Sequence, residues 1–540
     1  MTSSAPIESP GSQPTSSVTS AWSPLQSALF RSLWIATIVS NVGGWMQDVG
    51  AGWLMTELSS SPSMVALVEA ADSFPVMLLA LPAGALADII DRRRLLIAIQ
   101  VYLLLVAAAL GILTLLNLTT AWLLLGFTFA LGVGAAVTMP AWSAIVPDLV
   151  RPDQLGAAVA LNSVAINASR AIGPAIAGLL VAAVGPWLVF ILNALSYIGI
   201  VVVLVRWRRE HRKSTLPAER FLSAIRVGMR FVMNTDALQG VLIRGIGFFV
   251  FASATWSLFP LIVRKELGRG PEVYGLLLTC IGAGAVAGAM VLPRVRARVS
   301  RDVLVAGASG LYALAALALA YVQSIALLAV AMLATGVAWI SILSALQVSA
   351  QMTLPPWVRA RGLAAFVVVL MGGMALGSIL WGQVATLVGI PTALTLAAVG
   401  MVLAIGATWR FKLGRHQVLD FSPSSDWPLP VLAETPEPDV PVLVTIKYRI
   451  QADKRTEFVA AMQDVRKMRR RNGAYYWQLF HDSEDPTCFI ETFMDESWME
   501  HLRLHERASI ADREVQRIAK QYLVEGETTH SSHWLGDRES

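Results

Sequence analysis

Long apolar runs separated by short polar breaks occupy most of this chain. A helix needs about 20 predominantly apolar residues to cross the hydrocarbon of a bilayer. Runs of that order fall at 32–55, 63–84, 95–116, 121–143, 156–183, 187–205, 241–263, 273–293, 302–322, 325–350, 361–387 and 391–411. The pattern predicts twelve transmembrane helices. Residues 1–22 are rich in Ser, Thr and Pro and predict a disordered tail. Across 413–440, Pro423, Pro428, Pro430, Pro436 and Pro438, with Pro441 just beyond, predict an extended linker. The periodicity then changes. Val442–Ile450 alternates like a strand, and Asp453–Arg471 carries Phe458, Met462, Val465 and Met468 on one helical stripe. Tyr475–His481 and Cys488–Met494 predict two further strands, Trp498–Leu523 one or two helices, and Ser531–Leu535 a short last strand. The expected fold is an all-α membrane protein of twelve helices with a small ferredoxin-like α+β domain at 441–540.

Charge orients the spans. The 540 residues are 55% hydrophobic and 15% charged, against about 25% charged in a soluble protein. Basic residues gather in alternate loops. Arg92, Arg93, Arg94, Arg151, the cluster from Arg206 to Arg230, Arg294, Arg296, Arg298, Arg301, Arg359 and Arg361 fall on one side, and only Arg264, Lys265 and Arg269 on the other. Cationic loops stay in the cytoplasm, so both termini are expected there. The net charge of +5 therefore reports topology, and a nucleic-acid partner is not expected. Two cysteines, Cys280 and Cys488, argue against a disulfide framework. No secretory signal peptide is read at the start. No phosphate-cradling Gly-rich loop ending in Lys-Ser or Lys-Thr is present, so ATP drive is not expected, and no cofactor is called for.

Six spans precede the basic loop 206–240 and six follow it, which divides the membrane part into halves at 23–205 and 241–412. The halves share a pattern. Val146–Arg151 corresponds to Leu354–Arg359, and Gly173, Gly178 and Gly185 repeat the spacing of Gly377, Gly382 and Gly389. Arg31 opens the first span much as Arg244 opens the seventh. Parallel six-helix repeats mark one transporter architecture, with the substrate site between halves.

Charges inside spans cost roughly 2.5–3.5 kcal/mol each at a helix centre on insertion scales. Asp48, Glu69, Asp72 and Arg170 lie there. Glu69 and Asp72 are three apart on one helix face, and a carboxylate buried beside a like charge suits proton carriage. The alternative is a static pair with Arg170. Gly84–Arg94, reading GALADIIDRRR, is either a topogenic turn or a gate in which Asp88 meets a helix end or arginine and Gly84 permits close helix contact. At Gly173-Pro174 the fifth span is expected to bend, for packing or to seal a leak path. Trp45, Trp53, Phe74 and Trp256 either line a cavity or pack. In the tail, His501 and His505 share a helical face, but no Cys or acidic third ligand sits at a convincing spacing, and no metal site is expected.

The stretch Gly84–Arg94 resembles the loop motif of the major facilitator superfamily, with Gly84, Asp88, Arg92 and Arg93 on its positions and Asp91 replacing the second glycine. Arg170, Gly173, Pro174 and Gly178 look like the helix 5 motif of that superfamily's antiporter branch. The run from Met139-Pro140 through Pro147-Asp148-Leu149, Asn162, Gly173-Pro174 and Asn193–Tyr197 resembles the enterobactin-exporter-like, or transmembrane secretion effector, branch. This resemblance covers about 22–415 and implies export from the cytoplasm by proton antiport without identifying the substrate. The expected function is a bacterial inner-membrane exporter of a small amphipathic, siderophore- or drug-like molecule. The tail, with Trp498–His501 and His505, is similar to the antibiotic-biosynthesis-monooxygenase type of α+β domain, which implies dimerisation by sheet pairing. A membrane-tethered enzyme or ligand sensor is the alternative function.

Overall fold

The computed structural model describes residues 22–207, 221–355, 357–413, 437 and 439–537. The expected N-terminal tail and nearly all of the linker lie outside the described residues. The first six helices are α1 (Ala28–Leu58), α2 (Pro62–Ile89), α3 (Arg92–Leu115), α4 (Ala121–Leu149), α5 (Leu155–Ala183) and α6 (Pro186–Arg206). A short amphipathic helix, α7 (Phe221–Met233), leads into α8 (Asp236–Leu261), α9 (Pro271–Arg296), α10 (Arg301–Tyr321), α11 (Ile325–Met352), α12 (Arg359–Val388) and α13 (Ile390–Thr408). The protein is mostly helical, and among the described residues eleven helices, α2–α6 and α8–α13, are long and apolar enough to cross a membrane. The hydropathy pattern predicts twelve. The first, α1, is 31 residues long, but Asn41, Gln47 and Asp48 dilute its apolar character. The loop expected at 206–240 is also corrected, because Phe231 and Val232 of α7 are buried in the core of the second half.

The cores explain how the halves meet. One buried cluster draws on α1–α6 and α8–α13 together, through Trp53, Met55, Ala66, Val181, Phe259, Tyr274, Trp381 and their neighbours. All of these lie toward the end opposite the Arg92–Arg94 turn. Toward the arginine-turn end there are two separate cores. One is made from α1–α6 alone, around Phe30, Leu96 and Ile145. The other is made from α7, α8 and α10–α13, around Phe249, Tyr312 and Leu346. The halves are thus joined at one end and parted at the other.

Glycine makes the joint, and the repeat read in the sequence is visible in it. A Cβ on Gly173 would stand 2.6 Å from Trp45 Cβ on α1, and one on Gly178 would stand 2.7 Å from Pro271 O and 3.0 Å from Gly275 Cα on α9. In the second half, a Cβ on Gly377 would stand 2.6 Å from Val250 O on α8, and one on Gly382 would stand 2.6 Å from Ala66 Cβ on α2. Each fifth helix therefore holds the first helix of its own half and the second helix of the other. Gly185 and Gly389, at φ +112° and +85°, end these helices in a backbone region that other residues rarely adopt. Pro174 lies inside an α5 that runs on past it.

The arginine-turn end differs from expectation. A Cβ on Gly84 would meet nothing within 4 Å, so this glycine makes no close helix contact where the halves have parted. Asp91, in place of a motif glycine, caps α3 by accepting from Arg94 N at 2.9 Å. Arg93 donates to Leu204 O and Val205 O at 2.6 and 2.7 Å, at the end of α6 in its own half. The Asp88 side chain lies outside what is described. Arg244 does not copy Arg31: Arg31 is exposed at the start of α1, whereas Arg244 is buried and paired with Asp302 at 2.9 Å.

The tail follows the predicted order: β1 (Val442–Arg449), α14 (Arg455–Asn472), β2 (Tyr476–His481), β3 (Cys488–Asp495), α15 (Trp498–Arg507), α16 (Ile510–Lys520) and β4 (His530–Leu535). Ser509 caps α16 in a reciprocal box with Asp512, which splits the predicted single or double helix into two. The strands form one antiparallel sheet ordered β2-β3-β1-β4. The stripe Phe458, Met462, Val465 and Met468 is buried against it. The domain docks on α7 and its surroundings. Glu496 pairs with Arg230 at 2.6 Å and Arg226 at 3.6 Å, Lys467 pairs with Asp236 at 2.7 Å, and Arg507 lies over the Trp357 ring at 4.7 Å.

Two outcomes follow. Gly178→Ala is expected to lower thermal stability by about 1–3 kcal/mol, since the new methyl group meets backbone. Gly307→Ala, whose Cβ has open space, should be neutral or slightly stabilising. Equal melting temperatures for the two variants in detergent would refute the glycine joint. For the docked tail, Glu496→Arg should raise amide hydrogen exchange in α7 roughly fivefold, as loss of about 1 kcal/mol implies. Unchanged exchange there would mean that these ion pairs hold nothing.

Candidate functional site in the crevice between the halves

Three acidic side chains converge where the halves part. Asp48 comes from the middle of α1, and Glu69 and Asp72 come from successive turns of α2. They are close enough to act on one another: Asp48 feels the charge of Asp72 and Glu69, and Glu69 that of Asp72. Asp48 is exposed, and Glu69 and Asp72 are half-buried. Among the described residues no ion pair joins these carboxylates to a cation. Among the described residues, Ser73 Oγ donates to Glu69 at 3.5 Å.

Arg170 does not pair with them. Its guanidinium lies over the Trp45 ring at 5.4 Å, which removes the static carboxylate–Arg170 pair as an explanation. Its backbone oxygen would stand 2.7 Å from a Cβ on Gly282 of α9. Arg170, Gly173, Pro174 and Gly178 thus belong to the helix joint and not to the acidic cluster. Around the carboxylates stands a polar and aromatic wall. Asn193 donates to Gln47 and Tyr197 at 3.4 Å each, and Tyr197, Tyr274 and Tyr312 each feel the charge of one or two of the three acids.

The joined end is latched as well as packed. Arg264 donates to Thr56 at 3.0 Å, Lys265 to Ser60 O at 2.6 Å, and Ser63 to Gly382 O at 3.1 Å. Trp53, a candidate cavity residue, instead stacks on Tyr274 at 6.3 Å within this seal. Trp256 packs edge-on to Trp339 at 5.5 Å. Sequence reasoning missed Tyr274, Tyr312 and the Arg264–Thr56 latch. Lone tyrosines carry no motif, and along the chain Arg264 bears only on topology.

In the tail, Glu491 is buried and takes hydrogen bonds from Arg469 at 3.0 Å, Tyr448 at 2.7 Å and Trp477 at 2.9 Å. His501 and His505 are joined by a residue the sequence did not suggest, His533 of β4. Burial, then the neighbouring His501, His533 and Arg469, push His505 down to about 4. Burial and His501 also lower His533.

Comparison with known proteins places this geometry. Over 260 residues, 47% of this chain and 64% of the relative, the chain is 28% identical to the staphyloferrin A transporter of Staphylococcus aureus. Over 264 residues, 48% of this chain and 62% of the relative, it is 25% identical to the uncharacterized MFS-type transporter YfiS of Bacillus subtilis. Over 271 residues, 49% of this chain and 65% of the relative, it is 22% identical to macrolide efflux protein A of Streptococcus pyogenes. The chain thus spans a little under two thirds of the length of each of these relatives. Two solved structures share its fold. A point mutant of the nucleoside transporter NupG has a TM-score of 0.60 at 12% identity, over 71% of this chain and 99% of that one. A bacterial homologue of the human lysosomal transporter Spinster, inward-facing and unoccupied, has a TM-score of 0.54 at 15% identity, over 72% and 95%. The profile of the transmembrane secretion effector family matches residues 19–539, and the chain belongs to that family.

Proposed function

We propose that this chain is an alternating-access exporter of the bacterial plasma membrane. Its two halves rock about the crevice and carry a small amphipathic molecule out of the cytoplasm in exchange for inward proton flow. The observation that carries this reading is the trio Asp48, Glu69 and Asp72, gathered without a paired cation among the described residues at the place where the halves part. Uncompensated carboxylates at membrane depth are unfavourable unless they meet water or hold protons, and they mark ion pathways.

On this reading the arginine-rich turns are cytoplasmic, both termini lie inside, and α1 is the twelfth span, its polar residues turned to the crevice and not to lipid. The joined end then faces outward, and the conformation is inward-open. Gly84, Asp88, Arg92 and Arg93 act as the gate of the opposite state, engaging only when the cytoplasmic ends close. That fits the open space around Gly84 and the retention of Arg93 by its own half. The joint built from Arg170, Gly173, Pro174 and Gly178 sets the pivot. Relatives named for staphyloferrin A transport and macrolide efflux favour a siderophore- or drug-like cargo. That company of transporters indicates a transporter and not an enzyme, with the tail as an accessory domain.

Inverted membrane vesicles test this. An imposed proton gradient should drive uptake of at least one member of a siderophore and macrolide panel. Glu69→Gln and Asp72→Asn should each abolish the dependence on the gradient while insertion stays normal. Uptake that ignores collapse of the gradient in the wild type, or full gradient dependence in both variants, would defeat the proton-carrier role. Asp88→Asn should slow transport roughly tenfold, equivalent to about 1.4 kcal/mol, at unchanged expression. Wild-type rates from that variant would reduce the turn to a topology signal.

A further inference from the structure

The tail holds three imidazoles around one point, and they stand apart from everything used so far. His501 and His505 lie one turn apart on α15, and His533 lies on β4, paired across from Val444 of β1. The ligand atoms these three residues offer all lie within 4.8 Å of one another. His501 Nε2 and His505 Nε2 are 3.2 Å apart, and the His501 and His533 ring centroids are 5.0 Å apart.

The chemistry of His501 is set by Asp495. Its Nδ1 lies 2.8 Å from Asp495 Oδ2, and both side chains are almost wholly buried. A carboxylate can only accept, so Nδ1 carries the hydrogen and donates it. That leaves Nε2 as the ring's ligand atom, and it faces His505 Nε2. A carboxylate holding the far nitrogen of a histidine is how proteins orient metal-ligating imidazoles. On a tetrahedral metal with bonds of about 2.0–2.1 Å, two nitrogens sit roughly 3.3 Å apart, close to the observed His501–His505 separation.

We propose that His501, His505 and His533 form a binding site for a divalent late first-row transition metal, with Asp495 orienting His501 and a fourth position left to water or a small donor ligand. Imidazole donors without thiolate suit Zn²⁺, Cu²⁺, Ni²⁺ and Fe²⁺ and exclude Mg²⁺ and Ca²⁺. The competing explanation is a buried hydrogen-bond chain from Asp495 through His501 to His505. That accounts for two rings and leaves the third, brought from the edge strand, without a reason. Because His505 and His533 are each partly accessible, an ion can reach the cluster without unfolding. The site is independent of the transport reading.

The test uses the full-length protein in detergent, purified without a histidine tag and stripped with chelator. After incubation with Zn²⁺ and desalting, elemental analysis should find one zinc per chain. Co²⁺ in its place should give the intense visible bands of a four-coordinate site. Zn²⁺ should also raise the melting temperature of the wild type. His505→Ala combined with His533→Ala should lose the zinc, the cobalt bands and the thermal shift. His481→Ala, on a different strand, should keep all three, and Asp495→Asn should weaken zinc binding about 10–100-fold. Should the double variant misfold, the wild-type cobalt spectrum and thermal shift decide alone. Their absence, or equal zinc retention by wild type and a folded double variant, overturns the site.

Discussion

Backbone packed on backbone at four glycines sustains the membrane part. Lipid tails are as apolar as leucine side chains, so helices gain little from hiding apolar surface in one another, and close van der Waals contact must supply the association. Gly173, Gly178, Gly377 and Gly382 allow that contact because each stands where a Cβ would come within about 3 Å of a neighbouring helix. One residue of each pair fastens α5 or α12 into its own half, and the other, five residues on, clasps the opposite half. The two clasps, α5 on α9 and α12 on α2, are related by the internal repeat, so they form a symmetric hinge and not a single contact. Both lie toward the end where the cores merge, which leaves the other end free to part.

The hinge also explains where charge can be kept. Asp48, Glu69 and Asp72 sit between the merged core and the parted ends, roofed by the seal of Trp53, Tyr274 and Phe259. Three carboxylates within reach of one another repel, and a buried ion pair with Arg170 would have quenched them. Arg170 instead directs its charge at the Trp45 ring beside the α1–α5 contact. The acids are therefore left in a condition that only water, protons or a cationic ligand can relieve. That condition is what the proposed carrier role would use.

Much of this was legible from residue order, and the exceptions share a cause. Hydropathy located the spans, and glycine spacing revealed the repeat, because both are properties of the chain taken locally. The tail strands were likewise readable from period-two alternation, and the α14 stripe from Phe458 to Met468 came out buried as expected. Two features were not legible. Helix α7 hid in a basic loop because its apolar face is short and packs only with the second half in place. The third histidine of the tail cluster stands 28 residues after the second, and only the pairing of β4 with β1 brings it near. Register across a sheet leaves no mark in spacing along the sequence.

Where the tail attaches has a mechanical consequence. The described ion pairs and ring contacts between the tail and the membrane part fall on α7, Asp236 and Trp357, all within the second half. A domain fastened to both halves at their parted ends would act as a clamp and oppose their closing. Fastened to one, it is carried along with that half, and its ion pairs need not break during the proposed cycle. It also sits where the proposed cytoplasmic mouth opens, so its position relative to the first half would change as the halves approach. Anything that alters the tail's shape, including occupation of its histidine cluster, would therefore be felt first at that mouth, through α7, and not at the glycine hinge on the far side of the membrane.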